Sequence, residues 1–157
     1  GQLTNLTYLN LSQNQLTGEI PSEIGNLTNL IKLILYHNNL SGEIPSEIWN
    51  LTNLTHLHLF DNQLSGEISS DISNLTNLQE LRLGKSSNTN NFTGLIPSEI
   101  WLLTNLFRLE LSYNNFTGTI PPEIENLTNL STLILHGNQL TGEIPVEIGN
   151  QIGRAHV

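Results

Sequence analysis

Two histidines with an aspartate nearby are the residues of this sequence best placed for metal chemistry. His56 and His58 are separated by one residue, so an extended strand turns both imidazoles to one face, with Asp61 just beyond. A zinc site needs at least three fixed protein ligands and groups that orient them. An open strand supplies neither, so we predict no metal site. Since an unperturbed imidazole titrates near pH ~6.5, the pair favours a pH-sensitive contact instead.

Carboxylate pairs are the second group of residues with possible chemistry. Glu19 and Glu23 resemble a general acid and base, but such acid pairs recur along the chain, which indicates a scaffold role. The sequence contains no Cys, no Gly-rich phosphate loop and no GxSxG or HExxH motif. We therefore predict no catalytic residue, no enzyme activity in this chain and no cofactor.

The charge balance restricts the class of partner. The 157 residues include 5 Lys and Arg against 14 Asp and Glu, a formal charge of −9. Such a chain is poorly suited to nucleic acid, whose phosphates are neutralised by cationic side chains. No apolar run approaches the ~18 residues of a membrane span, and no N-terminal leader is evident. Membrane attachment is expected only through segments that this sequence does not contain.

A period of 24 residues organises the whole chain. Copies begin at Leu3, Leu27, Leu51, Leu75, Leu103 and Leu127. The fourth copy has 28 residues, with four extra inside GKSSNTNN. In each copy a Leu-x-Leu triplet alternates with period two, which predicts a short strand with both leucines inside. Strands one repeat apart then pair in parallel, and each coil covers the apolar face of the next.

Three further positions repeat within each copy. An Asn is predicted to bond backbone groups where the strand ends, at Asn14, Asn38, Asn62, Asn90, Asn114 and Asn138. The next apolar position predicts a second buried spine, made of Leu16, Leu40, Leu64, Phe92, Phe116 and Leu140. Gly-x-Ile-Pro then turns the chain without a long helix, and Ser69 replaces the proline in the third copy.

The pattern LxxLxxLxLxxNxLxGxIPxxI resembles the plant-type leucine-rich repeat of receptor-like kinases, receptor-like proteins and polygalacturonase-inhibiting proteins. The resemblance implies an α/β-type leucine-rich-repeat solenoid, a curved right-handed superhelix with a concave parallel β-sheet and little helix. It also implies an extracellular or cell-surface location, a peptide or protein ligand and a co-receptor. Bacterial surface proteins carry very similar repeats, so the kingdom of origin stays open.

The two ends depart from the repeat. The chain begins inside a copy without the Cys-bearing cap usual in the family, and no cap follows the sixth copy. Residues 1–150 are therefore expected to be an uncapped fragment of a solenoid. The last seven residues, QIGRAHV, leave the pattern, and their back-translation resembles a sequencing adapter. We expect residues 151–157 to be an artefact, with a short natural tail as the alternative.

The copies differ mainly at the outward positions of the strands. Outside the tail every Lys, Arg, His and Tyr lies there, whereas 11 of the 14 acids lie in outer segments such as GEIPSEI. A nearly neutral sheet face and an acidic back are expected, which favours the sheet face for recognition. The predicted ligand-binding residues are Lys32, Ile34, Tyr36, His37, His56, His58, Phe60, Asp61, Arg82, Lys85, Arg108 and Tyr113.

Two regions are predicted within that face. Glu80 beside Arg108, and Arg82 beside Glu110, form a checkerboard of opposite charges with a mostly structural role. Upstream, around Phe60, aromatic and polar side chains without reciprocal partners are expected to form a binding hot spot.

Three outer features complete the prediction. The extension carrying Lys85 and Ser86–Thr89 is interpreted either as a binding loop or as a tolerated surface bulge. Trp49 and Trp101, at equivalent outer positions, are expected to pack on neighbouring turns. In a secreted eukaryotic chain, the Asn-x-Ser/Thr sequences predict glycans, with the candidates Asn26, Asn50, Asn74, Asn91, Asn115 and Asn126.

The leading interpretation is a piece of an extracellular leucine-rich-repeat receptor-like kinase or receptor-like protein that binds a peptide or protein on its concave face. One alternative is a secreted inhibitor of a cell-wall-degrading enzyme, similar to polygalacturonase inhibitors. Another is a bacterial cell-surface repeat protein.

Overall fold

The computed structural model describes residues 3–84 and 90–150, with only the backbone for Asn150. Within these ranges each repeat forms one coil, with a strand, a turn, a second short strand and a short helix. In chain order the strands are β1 (Tyr8–Asn10), β2 (Thr17–Glu19), β3 (Lys32–Ile34), β4 (Asn39–Gly42), β5 (His56–His58), β6 (Gln63–Gly66), β7 (Glu80–Gly84), β8 (Asn91–Phe92), β9 (Arg108–Leu111), β10 (Thr117–Gly118), β11 (Thr132–Ile134) and β12 (Gln139–Leu140).

The first strand of every repeat belongs to one parallel sheet, in the order β1-β3-β5-β7-β9-β11. The register advances by one repeat per strand, so Leu33 lies between Leu9 and Leu57. These leucines point to the interior, where Leu33, Leu57, Leu81 and Leu109 are fully buried. The predicted strands and their stacking are confirmed, because only this register buries the leucines of neighbouring coils against each other.

A second set of parallel strands, which the sequence pattern did not predict, lies beyond the turn. β2, β4, β6 and β8 form one sheet, β10 and β12 form another, and a bridge from Leu95 to Thr117 lies between them. These strands have two to four residues and no alternating pattern, so periodicity could not identify them. Gly42 allows their close approach, because its φ is 77° and an added Cβ would lie 2.8 Å from Glu19 Cγ.

The predicted asparagine ladder is confirmed inside the turn. Asn62 donates from Nδ2 to the carbonyls of Leu35 and Leu59, each at 3.1 Å, and its Oδ1 accepts from the Leu40 N–H at 3.0 Å. The same side chain therefore bonds its own coil and the preceding one. Equivalent inter-coil bonds are made by Asn38, Asn90, Asn114 and Asn138.

The second apolar spine is buried in the interior repeats and open at the first. Leu64, Phe92 and Phe116 have no exposed surface, whereas Leu16 is 41% exposed because no coil precedes it among the described residues. Trp49 and Trp101 are 2% and 1% exposed, which agrees with their expected packing on neighbouring turns.

Short helices close each coil on the side opposite the six-stranded sheet. The 3-10 helices span Ser22–Asn26, Ser46–Asn50, Ser70–Asn74, Ser98–Leu102 and Pro122–Asn126, and an α-helix spans Glu147–Asn150. Where proline is missing, the Ser69 hydroxyl accepts from the Asp71 N–H at 3.1 Å and so caps the helix. Across the described residues, every helix is too short to span a bilayer.

Candidate recognition face

We define the variable face as the side of the six-stranded sheet opposite the leucine core, formed by residues 8, 10, 12 and 13 and their equivalents in later repeats. Because the strands pair in register, equivalent residues are lateral neighbours. His56 lies opposite Lys32 on one side and Glu80 on the other. The prediction that the differing side chains of successive repeats lie side by side is confirmed.

An aromatic and cationic stack forms the centre of the variable face. The rings of Tyr36 and Phe60 lie within 8° of parallel, with their centroids 4.5 Å apart. The guanidinium carbon of Arg82 lies 4.5 Å from the centroid of the Phe60 ring, which is a cation–π contact. Phe60 is only 2% exposed, whereas Tyr36 is half-buried. Phe60 therefore forms the buried part of the stack, and Tyr36 is its accessible end.

A single carboxylate holds the two histidines of β5. The Nε2 atoms of His58 and His56 lie 3.0 Å and 3.6 Å from the carboxylate oxygens of Glu80. His56 Nδ1 also lies 2.8 Å from the Thr55 hydroxyl. Both imidazoles therefore already have partners within the protein. In residues 3–84 and 90–150, no three His, Cys, Asp or Glu residues are grouped to hold a metal ion.

Burial determines the charge state of this cluster. Burial, and less strongly the nearby Arg82 charge, lower the pKa of His58 to about 4, although Glu80 acts in the opposite direction. The pKa of His56 is also lowered, mainly by burial and then by Lys32. His58 therefore stays uncharged well below neutral pH. The expected pH-sensitive contact near neutrality is wrong for this residue, because a charged ring would lose hydration in a buried position.

The residues just after the strands have a special backbone conformation. Gln13, His37, Asp61 and Tyr113 have φ values of 57°, 59°, 54° and 51°, in the left-handed region. His37 Nδ1 lies 2.9 Å from Asp61 Oδ2, with the His37 side chain 56% exposed and Asp61 only 4% exposed. This position varies in sequence, but the turn at the strand end constrains its backbone.

The expectation of an upstream patch without reciprocal partners is wrong. Asp61 pairs with His37, and Ile34, His58 and Phe60 are at most 9% exposed. Parallel strands lie only ~4.8 Å apart, so large side chains of adjacent repeats cover one another. The predicted ligand-binding residues that keep accessible surface are Lys32, Tyr36, His37, His56, Arg82, Arg108 and Tyr113.

The charge quartet pairs differently from the predicted checkerboard. Arg82 Nε lies 2.7 Å from Glu110 Oε2, as predicted. Arg108 Nη1, however, lies 3.8 Å from the same oxygen, while Glu80 is engaged by the imidazoles of β5. The Glu110 carboxylate, 4% exposed, therefore accepts a hydrogen bond from Arg82 and forms a longer ion pair with Arg108. Arg108, the weaker of the two partners, remains accessible at the surface.

A second aromatic contact lies near the last repeat. The rings of Tyr113 and His136 meet edge to face, with centroids 4.8 Å apart and planes at 88°. Tyr113 passes over Gly137, where an added Cβ would lie 2.8 Å from Tyr113 Cδ1. Tyr113 is 41% exposed, so this pair offers an accessible aromatic surface.

Two sets of predicted residues lie partly or wholly outside this geometry. Lys85 and Ser86–Thr89 are outside the described residues. The glycosylation candidates Asn26, Asn50, Asn74, Asn91 and Asn126 are exposed, whereas Asn115 is half-buried. The Oδ1 atom of Asn115 accepts a hydrogen bond from Gln139 Nε2 at 3.3 Å. Glycan attachment at these sites stays a prediction.

Sequence reasoning missed an exposed polar column where the strands begin. We call it the Thr–Asn edge, formed by Thr4 and Asn5 and their equivalents in the later repeats. Asn53 Nδ2 donates to the Thr28 carbonyl at 3.0 Å, and Asn29, Asn77, Asn105 and Asn129 make the same bond to the preceding repeat. The signal that could have found it is the segment LTNL, which opens all six copies unchanged.

Comparison with known proteins agrees with this architecture. A family model described as a leucine-rich repeat region matches residues 1–114, and a model described as a leucine rich repeat matches residues 105–127 and 129–151. No curated protein sequence matches the chain significantly.

Several solved structures resemble the chain closely. The Arabidopsis receptor kinase HAESA, in complex with the peptide hormone IDA and the co-receptor SERK1, is 42% identical with a TM-score of 0.87. That match covers 95% of this chain and 24% of HAESA. PEPR1-AtPEP1 is 41% identical with a TM-score of 0.87, covering 94% of this chain and 20% of that one. A plant ice-binding protein is 33% identical with a TM-score of 0.78, covering 90% and 45%.

The chain thus spans about a quarter of the HAESA chain and a fifth of the PEPR1 chain. The family model covers more than half of its residues, and the solenoid geometry agrees with the family at every described repeat. The chain belongs to the leucine-rich repeat family, and its repeats are of the plant type.

Proposed function

We propose that this chain is the ligand-recognition part of an extracellular receptor-like protein, and that a peptide or protein ligand binds to its variable face. The observation that carries the proposal is the construction of that face. Buried side chains that pair with one another lie beneath accessible aromatic and cationic groups. This arrangement is suited to an interface hot spot. HAESA and PEPR1-AtPEP1, which share the fold at over 40% identity, support the same class of function.

The accessible and buried residues have different roles in this proposal. Lys32, Tyr36 and His37 contact the ligand at the upstream end, and Arg108 and Tyr113 contact it downstream. The buried residues Ile34, His58, Phe60 and Asp61, with Arg82 and His56 beside them, hold the accessible groups in place. A prearranged face lowers the conformational entropy that is lost on binding.

The larger protein is proposed from the same resemblance. A co-receptor would bind beside the ligand, and a membrane segment or kinase domain would belong to other parts of the full-length protein. The chain itself is proposed to be non-catalytic and extracellular, with glycans on exposed asparagines such as Asn26 and Asn74. A secreted polygalacturonase-inhibitor-like protein and a bacterial surface protein are the alternatives, which the full-length reading frame distinguishes.

Selection of peptide ligands tests the recognition function. A displayed peptide library is selected on the immobilised chain, and the selected peptides are measured against Lys32→Ala, Tyr36→Ala and Tyr113→Ala. We expect each variant to weaken binding about tenfold or more. Ser22→Ala and Glu23→Ala, on the opposite side of the coil, are the matched controls. Equal binding by face and control variants would remove the variable face from the function.

A second candidate function is favoured by a different observation. The Thr–Asn edge repeats one exposed, uncharged pair of side chains in all six copies, which suits a partner that is itself periodic. One of the similar structures is a plant ice-binding protein. We propose adsorption to ice as this second function. Inhibition of ice recrystallisation by the 157-residue chain, compared with an unrelated acidic protein of similar size, tests it.

A further inference from the structure

Among the residues that the structure describes, the Thr–Asn edge is the only part of the repeat in which exposed polar side chains are identical in all six copies. Its members in the described residues are Thr4, Thr28, Thr52, Thr76, Thr104 and Thr128, each followed by Asn. All twelve side chains are exposed. The outer GEIPSEI segments, by contrast, change in several copies, at Ser69, Leu95, Thr119 and Val146.

The amides of this edge are held in one orientation. Each Asn Nδ2, from Asn29 to Asn129, donates to the Thr carbonyl of the preceding repeat at 2.8–3.0 Å. The backbone just beyond is equally regular, since Ile31 donates to the Thr7 carbonyl and Thr55 to the Ile31 carbonyl, both at 2.8 Å. The edge is therefore a rigid row with one amide per coil.

The lengthened fourth repeat does not interrupt the row. Asn105 donates to the Thr76 carbonyl at 2.8 Å although the two residues are 29 apart in sequence, whereas Asn53 and Thr28 are 25 apart. In the sequence the four extra residues follow β7, whereas the Thr–Asn pair of that repeat precedes it. The bond that links neighbouring coils at the Thr–Asn edge thus continues across the lengthened repeat, next to paired strands for which a separation of ~4.8 Å is usual.

Hydrogen-bonding groups remain available along the row. The ladder uses the Thr carbonyl and one N–H of each amide, not the Thr hydroxyl or the Asn Oδ1. In the described part of the chain the hydroxyls of Thr28, Thr52 and Thr76 have no protein partner, and neither have the Oδ1 atoms of Asn53 and Asn77. Each coil therefore presents the same unpaired donor and acceptors to solvent.

The side chains along the row indicate which kind of periodic partner could bind there. The open groove beside it is lined by Asn, Thr and Gln side chains with Ile31, and has no charged or aromatic residue in its lining. A polyanionic polysaccharide would require cations, and sugar rings bind preferentially on aromatic faces. A crystalline water lattice requires only regularly spaced donors and acceptors that replace lattice hydrogen bonds.

We infer that the Thr–Asn edge is the surface through which the chain adsorbs to ice, an assignment that rests on the second proposed function. Thr hydroxyls and Asn carbonyl oxygens occupy positions equivalent to water molecules at the crystal surface. The variable face does not serve this purpose, because its side chains differ from coil to coil. The back carries most of the carboxylates, whose hydration shells do not follow the repeat of a lattice.

The triple variant Thr28→Lys, Thr52→Lys and Thr76→Lys tests the assignment. It places three long charged side chains on the row but leaves the backbone carbonyls that accept the ladder bonds. We expect the protein concentration needed to stop ice recrystallisation to rise at least about tenfold. Circular dichroism and the unfolding midpoint establish that the variant remains folded.

A matched control adds the same charge to the same number of repeats elsewhere. Ser46→Lys, Ser70→Lys and Ser98→Lys alter exposed positions at the start of the short helices, and we expect them to leave ice activity unchanged. The triple variant Thr28→Ser, Thr52→Ser and Thr76→Ser keeps the hydroxyls and is expected to retain more activity than the lysine variant.

The possible outcomes distinguish an error in the assigned surface from an error in the proposed ice-binding function. An active parent chain with an equally active threonine-to-lysine variant would overturn the assignment to the Thr–Asn edge but leave ice binding intact. An inactive parent chain would overturn ice binding and the assignment with it, without affecting peptide recognition. An edge-dependent interaction with a soluble neutral glucan, in a chain without effect on ice, would overturn the proposal in favour of a carbohydrate partner.

Discussion

Two columns of asparagine run along the solenoid and make the same kind of hydrogen bond in opposite surroundings. In the inner column, Asn62 is 3% exposed and joins the Leu35 carbonyl to the Leu40 N–H. In the outer column, Asn53 is exposed and donates only to the Thr28 carbonyl. The difference shows that burial, rather than bond length, decides what each amide contributes to the fold.

The two columns also differ in what they leave for a partner. The inner amides use both polar atoms in bonds to the backbone of their own and the preceding coil, so they act only on stability. The outer amides keep an acceptor facing solvent and can act on function as well. The unfolding free energies of single variants test the difference in stability between buried and exposed groups.

The largest effect is expected for Asn62→Ala. The substitution leaves the Leu40 N–H and the Leu35 and Leu59 carbonyls without their partner in a buried turn. Each orphaned group costs ~1–3 kcal/mol, so the free energy of unfolding should fall by about 3 kcal/mol. Urea unfolding followed by circular dichroism measures the change. A loss as small as that of an exposed amide would contradict the role of burial.

Arg82→Ala applies the same comparison to charged groups. The substitution removes the guanidinium that lies 2.7 Å from the nearly buried Glu110 carboxylate and covers the Phe60 ring. We expect a loss of about 2 kcal/mol in unfolding free energy, because a buried carboxylate loses its main partner. Arg108→Ala is the matched control, with an expected change below about 0.5 kcal/mol at this more exposed position.

The pH dependence of stability is expected to report the buried imidazole. The folded-state pKa of His58, about 4, lies below its ordinary value of 6.5, so on acidification the unfolded chain binds the proton first. The stabilisation is therefore complete above pH 6.5 and is lost as the pH falls towards 4. Allowing for screening by solvent, the loss is on the order of 1 kcal/mol. Unfolding midpoints of the parent chain and of His58→Gln, measured across that range, should converge at the acidic end.

The smallest effect is expected for Asn53→Ala. Water can hydrate the Thr28 carbonyl once the amide is removed, so the unfolding free energy should fall by only about 0.5 kcal/mol. The urea midpoints of Asn53→Ala and Asn62→Ala, measured side by side, compare the stability lost from the outer column with that lost from the inner column. Equal losses for the two variants would show that the outer amide is more than a surface contact.

The sequence predicted the fold well because buried positions restrict residue type. Leu33 and Leu57 recur 24 residues apart, and each coil needs an apolar side chain there to cover the next. Asn62 was predicted as a ladder residue on the same reasoning. The second set of strands was not predictable in this way, because β8 and β10 have two residues each and are created by the approach of neighbouring coils.

The sequence predicted where the variable face lies, but it did not predict which of its side chains pair with each other or become buried. Register alone placed Glu80 beside both His56 and Arg108. The carboxylate pairs with the imidazoles, and Phe60 lies beneath Arg82 rather than in solvent. These choices depend on side-chain rotamers and on lateral crowding, neither of which has a periodic signature in the sequence.

By itself, the sequence determined the number of coils, the register of the strands and the face on which variation is collected. All three follow from the spacing of residues that must be buried, which is a local and repeated requirement. Only the tertiary structure decided which varied side chains stay accessible and which pair with one another. That outcome depends on contacts between residues at least 22 positions apart, where two side chains compete for the same partner in space.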